Sequence, residues 1–134
     1  MKNYLPVYLC GPINGCTDEE AKNWREYIKS QYPNCIDPMR RDYRGKEDQC
    51  VDEIVELDKI DVINSGVILV NYDKPSVGTS MEVLYAFERG KYVLVVCKQG
   101  TSISPWLRYH SHKIVHSFYD ALQIIIQRNV DQQY

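Results

Sequence analysis

A chain of 134 residues has room for one domain with a true core, residues 1–134, and not for two. Its formal charge of −2 creates no strong field, which argues against nucleic acid or an anionic membrane as a partner. No apolar run reaches membrane-spanning length, the start MKNYLPVYLCG lacks a signal-peptide pattern, and the five cysteines form no CxxC pair, so a reducing cytoplasm is expected and neither disulfides nor a zinc site.

Leu5–Cys10 reads as a first buried strand, followed by the tight loop Gly11-Pro12-Ile13-Asn14-Gly15. Thr17 with Glu20 three residues on fits a capping box, so a helix is predicted from about Asp18 to Gln31, with Ala21, Trp24, Tyr27 and Ile28 as its apolar face. Cys35-Ile36-Asp37 is a short second strand, and Pro38 opens the basic loop MRRDYRGK. A long helical pattern from about Glu47 to Asn64 carries Val51, Ile54, Val55, Leu57, Ile60 and Ile63. Val67–Val70 is a third strand, the loop Asn71–Ser80 follows, and Thr79-Ser80 opens a helix that Gly90 stops, with Met81 and Leu84 as core. Val93–Val96 is the fourth strand, so this stretch is a βαβ unit. A short helix at Ser104–His110, a fifth strand at Lys113–His116, a helix from Phe118 to about Arg128 facing Leu122, Ile125 and Ile126 inward, and the polar tail DQQY complete the chain. Five strands alternating with helices predict a three-layer α/β/α sandwich on a parallel sheet, and the right-handed crossover rule favours a flavodoxin-like, Rossmann-like order 2-1-3-4-5.

In such sheets ligands sit beyond the carboxyl ends of the strands. The loops after strands 1, 3 and 4 then share one rim, which gathers Tyr8, Gly11–Gly15, Ser76, Gly78, Glu82 and the stretch after Cys97. Glu82 is expected in the first helical turn, where the helix N-terminus favours its ionised form. Asp58 and Asp61 lie on the helix leading into strand 3. Two carboxylates converging on a pocket suit glycosidic chemistry, one attacking the sugar and one handling the proton of the leaving group. Local pattern leaves plainer readings open. Thr79-Ser80-Met81-Glu82 has capping-box spacing, so Glu82 also fits a mere helix closure, and Asp58 and Asp61 fit solvated charges. His110-x-His112 with His116 nearby lacks a third ligand, so no metal is expected, and Cys10 reads as a small buried apolar residue.

Three stretches, YLCGPINGCTDEEAKNWREYI, ELDKIDVINSGVILV and SVGTSMEVLYAFERGKYVLVV, resemble the nucleoside 2-deoxyribosyltransferase family, which includes the related 2'-deoxynucleoside 5'-monophosphate N-glycosidases. The resemblance implies that Glu82 is a nucleophile toward the anomeric carbon. It implies that Tyr8 contacts that glutamate, and that Asp58 orients the sugar or assists departure of the base. It further implies a homo-oligomer, a homodimer or larger, paired through the helices flanking strand 3, with shared pockets. Residues after strand 4, among them Ser104, Trp106, Arg108 or Tyr109, would reach the neighbour's site. Ser76 matches the serine of the monophosphate glycosidases, where free-nucleoside transferases carry an aspartate. With Gly78 and Thr79 at a helix start it suggests a 5'-phosphate site. Pro12 and Asn14 stand where that subgroup has serine and arginine, so the cation is missing unless Arg40, Arg41 or Arg44 replaces it.

The substrate-binding set is therefore Gly11, Pro12, Ile13, Asn14, Ser76, Gly78 and Thr79, the catalytic set is Glu82, Asp58 and Tyr8, and neither a cofactor nor a metal is called for. The partner is a small nucleoside or nucleotide. A nucleotide-sensing module without turnover, and a glycohydrolase of NAD or another nucleotide conjugate, are the alternative readings.

Overall fold

The computed structural model describes residues 5–133. The expectation of no leader at the chain start falls in part on residues 1–4, outside the described residues. One parallel sheet carries the fold: β1 (Val7–Cys10), β2 (Cys35–Ile36), β3 (Val67–Asn71), β4 (Tyr92–Val96) and β5 (Lys113–Val115), in the order β2-β1-β3-β4-β5. The expected order and class are those observed.

Register decides what each face holds. Tyr8 pairs with Ile68 and Cys10 with Val70, so these side chains share one face with Val93 and Val95. That face packs under α2 (Val51–Ile63), α3 (Val77–Glu88) and α4 (Pro105–Tyr109), through Val62, Val83, Ala86 and Leu107. Val7, Leu9, Leu69, Leu94 and Val96 point the other way, under α1 (Asp18–Gln31) and α5 (Phe118–Gln133). Strands buried on both faces explain the unbroken apolar runs of the sequence.

Local chemistry sets the element ends. Thr17 caps α1 with a complete capping box: its hydroxyl accepts from Glu20 N at 3.2 Å, and Glu20 Oε1 accepts from Thr17 N at 3.0 Å. The buried face of α1 differs from expectation. Arg25 is enclosed, whereas Tyr27 is 41% exposed. Strand β1 begins at Val7, later than Leu5, which is exposed. Strand β2 ends at Ile36, because Asp37 instead caps a 3-10 turn (Pro38–Arg40), accepting from Met39 N at 2.8 Å. The single helix expected from Glu47 is two pieces, a 3-10 turn (Glu47–Gln49) and α2, broken at Cys50.

Helix α3 starts three residues earlier than Ser80 alone would suggest. Ser76 is its cap, and its hydroxyl accepts from Thr79 N at 3.3 Å. Met81 is not core but exposed, and so is Ile126 of α5, which runs past Arg128 to Gln133. No helix among the described residues is long and apolar enough to cross a membrane.

Thr17→Ala removes the hydroxyl that accepts from Glu20 N while leaving its backbone N–H to donate to Glu20, and should cost about 1 kcal/mol. Thermal unfolding should show this as a midpoint lowered by roughly 3–5 °C. An unchanged midpoint would mean that the Thr17 hydroxyl contributes nothing to α1.

Candidate active site

The strand order reverses at β1 and β3, and the crevice opens above their carboxyl ends. A cavity of about 430 Å³ lies there, a size suited to a small ligand. Its walls come from three places. The turn after β1 gives Gly11, Pro12, Ile13 and Asn14; the start of α3 gives Lys74, Ser76, Gly78, Thr79 and Glu82; the segment into α2 gives Pro38, Arg41, Tyr43, Glu47, Ile54 and Asp58. Nine of the ten residues singled out from the sequence thus line one cavity. The tenth, Tyr8, lies beneath it on β1, enclosed by the core.

Tyr8 O–H donates to Glu82 Oε2. Val77 is the first residue of α3, so Glu82 stands in the second turn, beyond the reach of the capping hydroxyl. The capping-box reading of Glu82 therefore fails, because Ser76 does that work. The help expected from the helix N-terminus fails for the same reason, since that effect fades beyond the first turn. Burial sets the electrostatics instead. It pushes the Glu82 carboxyl from the ordinary 4.5 up to about 8, and the negative charge of Asp58 adds to it. The Tyr8 hydrogen bond and the Arg25 charge pull the other way. Burial, then the Glu82 charge, holds the Tyr8 phenol well above its ordinary value, so it stays a neutral donor.

Asp58 lies on the α2 wall. Burial raises its carboxyl, while Arg41 opposes that. Asp61, one turn on, has a different role: it receives Arg40 Nη2 at 2.8 Å and Arg41 Nη2 at 2.7 Å, and is buried. Arg41 also reaches Asp58 at 3.4 Å. Of the three loop arginines, only Arg41 lines the cavity, and two carboxylates already balance it. Arg44 is turned away onto Asp18 and Asp42.

The stretch after Cys97 does not join this rim. Cys97 and Lys98 line a separate hollow on the α1/α5 side. Cys10 is enclosed, and burial raises its thiol, so it is an inert neighbour. His110, His112 and His116 each have Nδ1 engaged with backbone, at Trp106 O, Val93 N and Cys97 O. Among the described residues no group of three or more His, Cys, Asp or Glu could hold a metal ion.

Sequence reasoning missed Lys74, Tyr43 and Glu47 on the walls and Arg25 beneath them. Arg25 was findable: Ala21, Arg25 and Ile28 follow the i, i+4, i+7 spacing of one inward helical face. In chemical terms the site offers a carboxyl gripped by a neutral phenol, with a second, half-buried acid facing the same space. Those are the parts that nucleophilic displacement at a sugar carbon needs.

The architecture has relatives among solved structures. A conserved protein from Enterococcus faecalis V583 superposes with a TM-score of 0.72 at 16% identity, covering 94% of this chain and 99% of that one. The CMP N-glycosidase BcmB of Clostridium botulinum superposes with a TM-score of 0.61 at 18% identity, covering 92% of this chain and 98% of that one. At these identities the likeness concerns the fold. No curated protein sequence matches the chain. The model of one family, described as nucleoside 2-deoxyribosyltransferase, matches residues 7–127, and the chain belongs to that family of enzymes acting on nucleosides or nucleotides.

Proposed function

We propose that the protein cleaves the N-glycosidic bond of a 2'-deoxynucleoside 5'-monophosphate through a covalent glycosyl-enzyme on Glu82. The observation that carries this reading is the Tyr8–Glu82 pair at the floor of a nucleotide-sized cavity. Glu82 attacks the anomeric carbon, and the C–N bond to the base breaks through an oxocarbenium-like transition state. Tyr8 fixes the attacking rotamer, so little orientation is lost on the way to that state. Asp58, whose carboxyl is raised by burial, gives to the departing base the one proton that it and Glu82 share. Water or a second base then releases the sugar from Glu82.

The phosphate end of the substrate belongs at the start of α3. The Ser76 hydroxyl accepts from Thr79 N and keeps its own proton to donate, and a helix N-terminus favours an anion. Lys74 supplies the cation that Pro12 and Asn14 do not. Its pair with Glu20, at 3.0 Å, is about half exposed on both sides, so it is easily exchanged for a phosphate. A structural neighbour that acts on a nucleoside monophosphate supports this choice.

We also infer that two copies pair across α2 and α3. An apolar groove of about 500 Å³ runs between these helices, lined by Ile54, Val55, Val62, Met81, Leu84 and Tyr85, and it meets the catalytic cavity at Asp58, Gly78 and Glu82. Val55 and Met81 of its lining are exposed, and Val51, Ile60 and Ile63 are exposed elsewhere on α2, apolar surface that a lone copy would leave in water.

Wild type incubated with the four deoxynucleoside 5'-monophosphates should release free base from at least one, and Glu82→Ala should lower that rate by three orders of magnitude or more, as ~10³ is the scale of a lost nucleophile. Equal inertness of both proteins toward all four would end the reading of a deoxynucleoside 5'-monophosphate as the substrate. Added free base separates the two acceptors, because base exchange means transfer and sugar phosphate release without exchange means hydrolysis.

The pH dependence follows from the shared charge of Glu82 and Asp58. Cleavage needs the first ionised and the second protonated, so kcat/KM should fall as pH rises through about 8, where the pair gives up its last proton. Asp58→Asn should abolish that basic limb. A rate that climbs through pH 8 and stays high would instead confine Asp58 to orienting the sugar.

Sedimentation at micromolar concentration should show a dimer, and Val55→Glu should dissociate it. A monomeric wild type at that concentration would rule out pairing through the groove.

A further inference from the structure

Three polar side-chain atoms of residues on the cavity wall are enclosed and have no hydrogen-bond partner among the described residues: Thr79 Oγ1, Arg41 Nε and Glu47 Oε1. Folded proteins rarely leave such atoms unmatched, so they point to what fills the space. Thr79 stands at the start of α3, the end already given to the phosphate. Arg41 and Glu47 stand on the wall that leads into α2. A guanidinium only donates and a carboxylate only accepts, so the two make opposite demands.

Their order along the wall is set by the chain. Arg41 Nη2 donates to Asp61 at 2.7 Å and reaches Asp58 at 3.4 Å. Its Nε–H therefore stands close to the acid that serves the departing base. Asp58 and Ile54 both line the cavity one helical turn apart, about 6 Å along the α2 axis. Glu47 lies beyond Ile54, in the 3-10 turn before α2 begins. Backbone bonds hold this approach: Lys46 N to Tyr43 O at 2.8 Å, Cys50 N to Glu47 O at 3.1 Å, and Ile54 N to Cys50 O at 2.9 Å. Glu47 pairs with no cation among the described residues, Arg41 included. Moving outward from Asp58, the wall thus offers a donor, then apolar Ile54, then an acceptor.

The turn after β1 is held firmly. Arg25, fully buried in α1, donates from Nε and Nη2 to Leu9 O at 3.2 Å and from Nη2 to Gly11 O at 3.1 Å. A Cβ on Gly11 would stand 2.9 Å from a Trp24 ring carbon, so the turn has no slack. Pro12 and Ile13 follow it, and with Ile54 and Tyr43 they give the cavity apolar surface for a flat ring.

We propose that Glu47 and Arg41 read the edge of the base, and that they select an amino group beside a bare ring nitrogen, as in cytosine and adenine, over the keto counterparts. The inference rests on the cavity taking a nucleotide with its reacting bond at Glu82. In cytosine the amino group at C4 lies furthest from the glycosidic bond and donates to Glu47 Oε1. The ring nitrogen N3 lies nearer and accepts from Arg41 Nε. Adenine repeats the pattern at C6 and N1. Uracil reverses both contacts: its C4 oxygen meets the Glu47 oxygen, and its N3–H meets the Arg41 N–H. Each reversal leaves enclosed polar groups unmet, which is how such a site rejects an analogue of the same shape.

The test compares 2'-deoxycytidine 5'-monophosphate with 2'-deoxyuridine 5'-monophosphate, and the adenine deoxynucleotide with its hypoxanthine analogue. The members of each pair differ only in that edge. Calorimetric binding to Glu82→Gln reads recognition without turnover. Within each pair that binds, the amino member should bind tighter by about tenfold or more. Adding Glu47→Gln, whose amide donates as well as accepts, should shrink that advantage to about threefold or less. Adding Glu47→Ala should weaken the amino member and leave the keto member within about twofold. Equal binding within the pairs, or a preference that survives both Glu47 substitutions, overturns the inference, and release of base by wild type would leave the proposed function standing. An amino preference lost on Glu47 substitution, in a protein that cleaves none of the nucleotides, supports the reading of the base and counts against cleavage. Failure to bind any of the four nucleotides overturns both.

Discussion

The hydrogen bond from Tyr8 to Glu82 ties the middle of the sheet to the helix above it, and the site depends on it. A carboxyl taken out of water is costly unless a donor meets it. Here the donor is a phenol that burial itself keeps neutral. The bond exists because β1 lies beside β3 and α3 follows β3 directly, so residue 8 of one strand comes under residue 82 of the next unit. Shifting the β1 register by one residue would turn Tyr8 to the α1 face and leave the carboxyl without its partner.

The charges around this pair are sorted by depth. Asp61, itself buried, gathers Arg40 and Arg41 beside the cavity, in the loop that also brings Tyr43 and Glu47 to the wall. Asp37 gathers Arg25 and Lys29 on the opposite side of the sheet. Lys74 and Glu20 meet at the surface, where their attraction is slight. Buried pairs thus build the frame, and the half-exposed Lys74–Glu20 pair stands at the rim, at the proposed phosphate end of the site.

Much of the fold was legible because its signals are local. The apolar runs at Val67–Val70 and Val93–Val96, the Thr17-Glu20 spacing and the Gly90 stop each act within a few residues. Element ends were less legible where two caps compete. Thr79 and Ser80 are good cap residues, yet Ser76 takes the position and moves the helix start, which changes the role open to Glu82. The exposed apolar stripe of α2 reads in sequence like any core-facing helix, since periodicity shows that a face exists and not what covers it. The site residues stood out as a set through resemblance. Spacing alone left Glu82 between catalysis and capping, because the contact that separates the two spans 74 positions of the chain. Arg25 escaped notice for a related reason: a charge on an inward face is easily taken for a surface residue until its carbonyl partners are seen.

The central claim is that Glu82 forms a bond to the sugar, and trapping that bond tests it most directly. A 2'-fluoro-arabino nucleoside 5'-monophosphate slows the transition state that releases the sugar, because fluorine withdraws electrons from the cationic centre. Intact mass spectrometry of the incubated protein should show one added sugar phosphate per chain, and peptide mapping should place it on Glu82. An adduct on another residue, or none while wild type still turns over the unmodified nucleotide, would contradict the account.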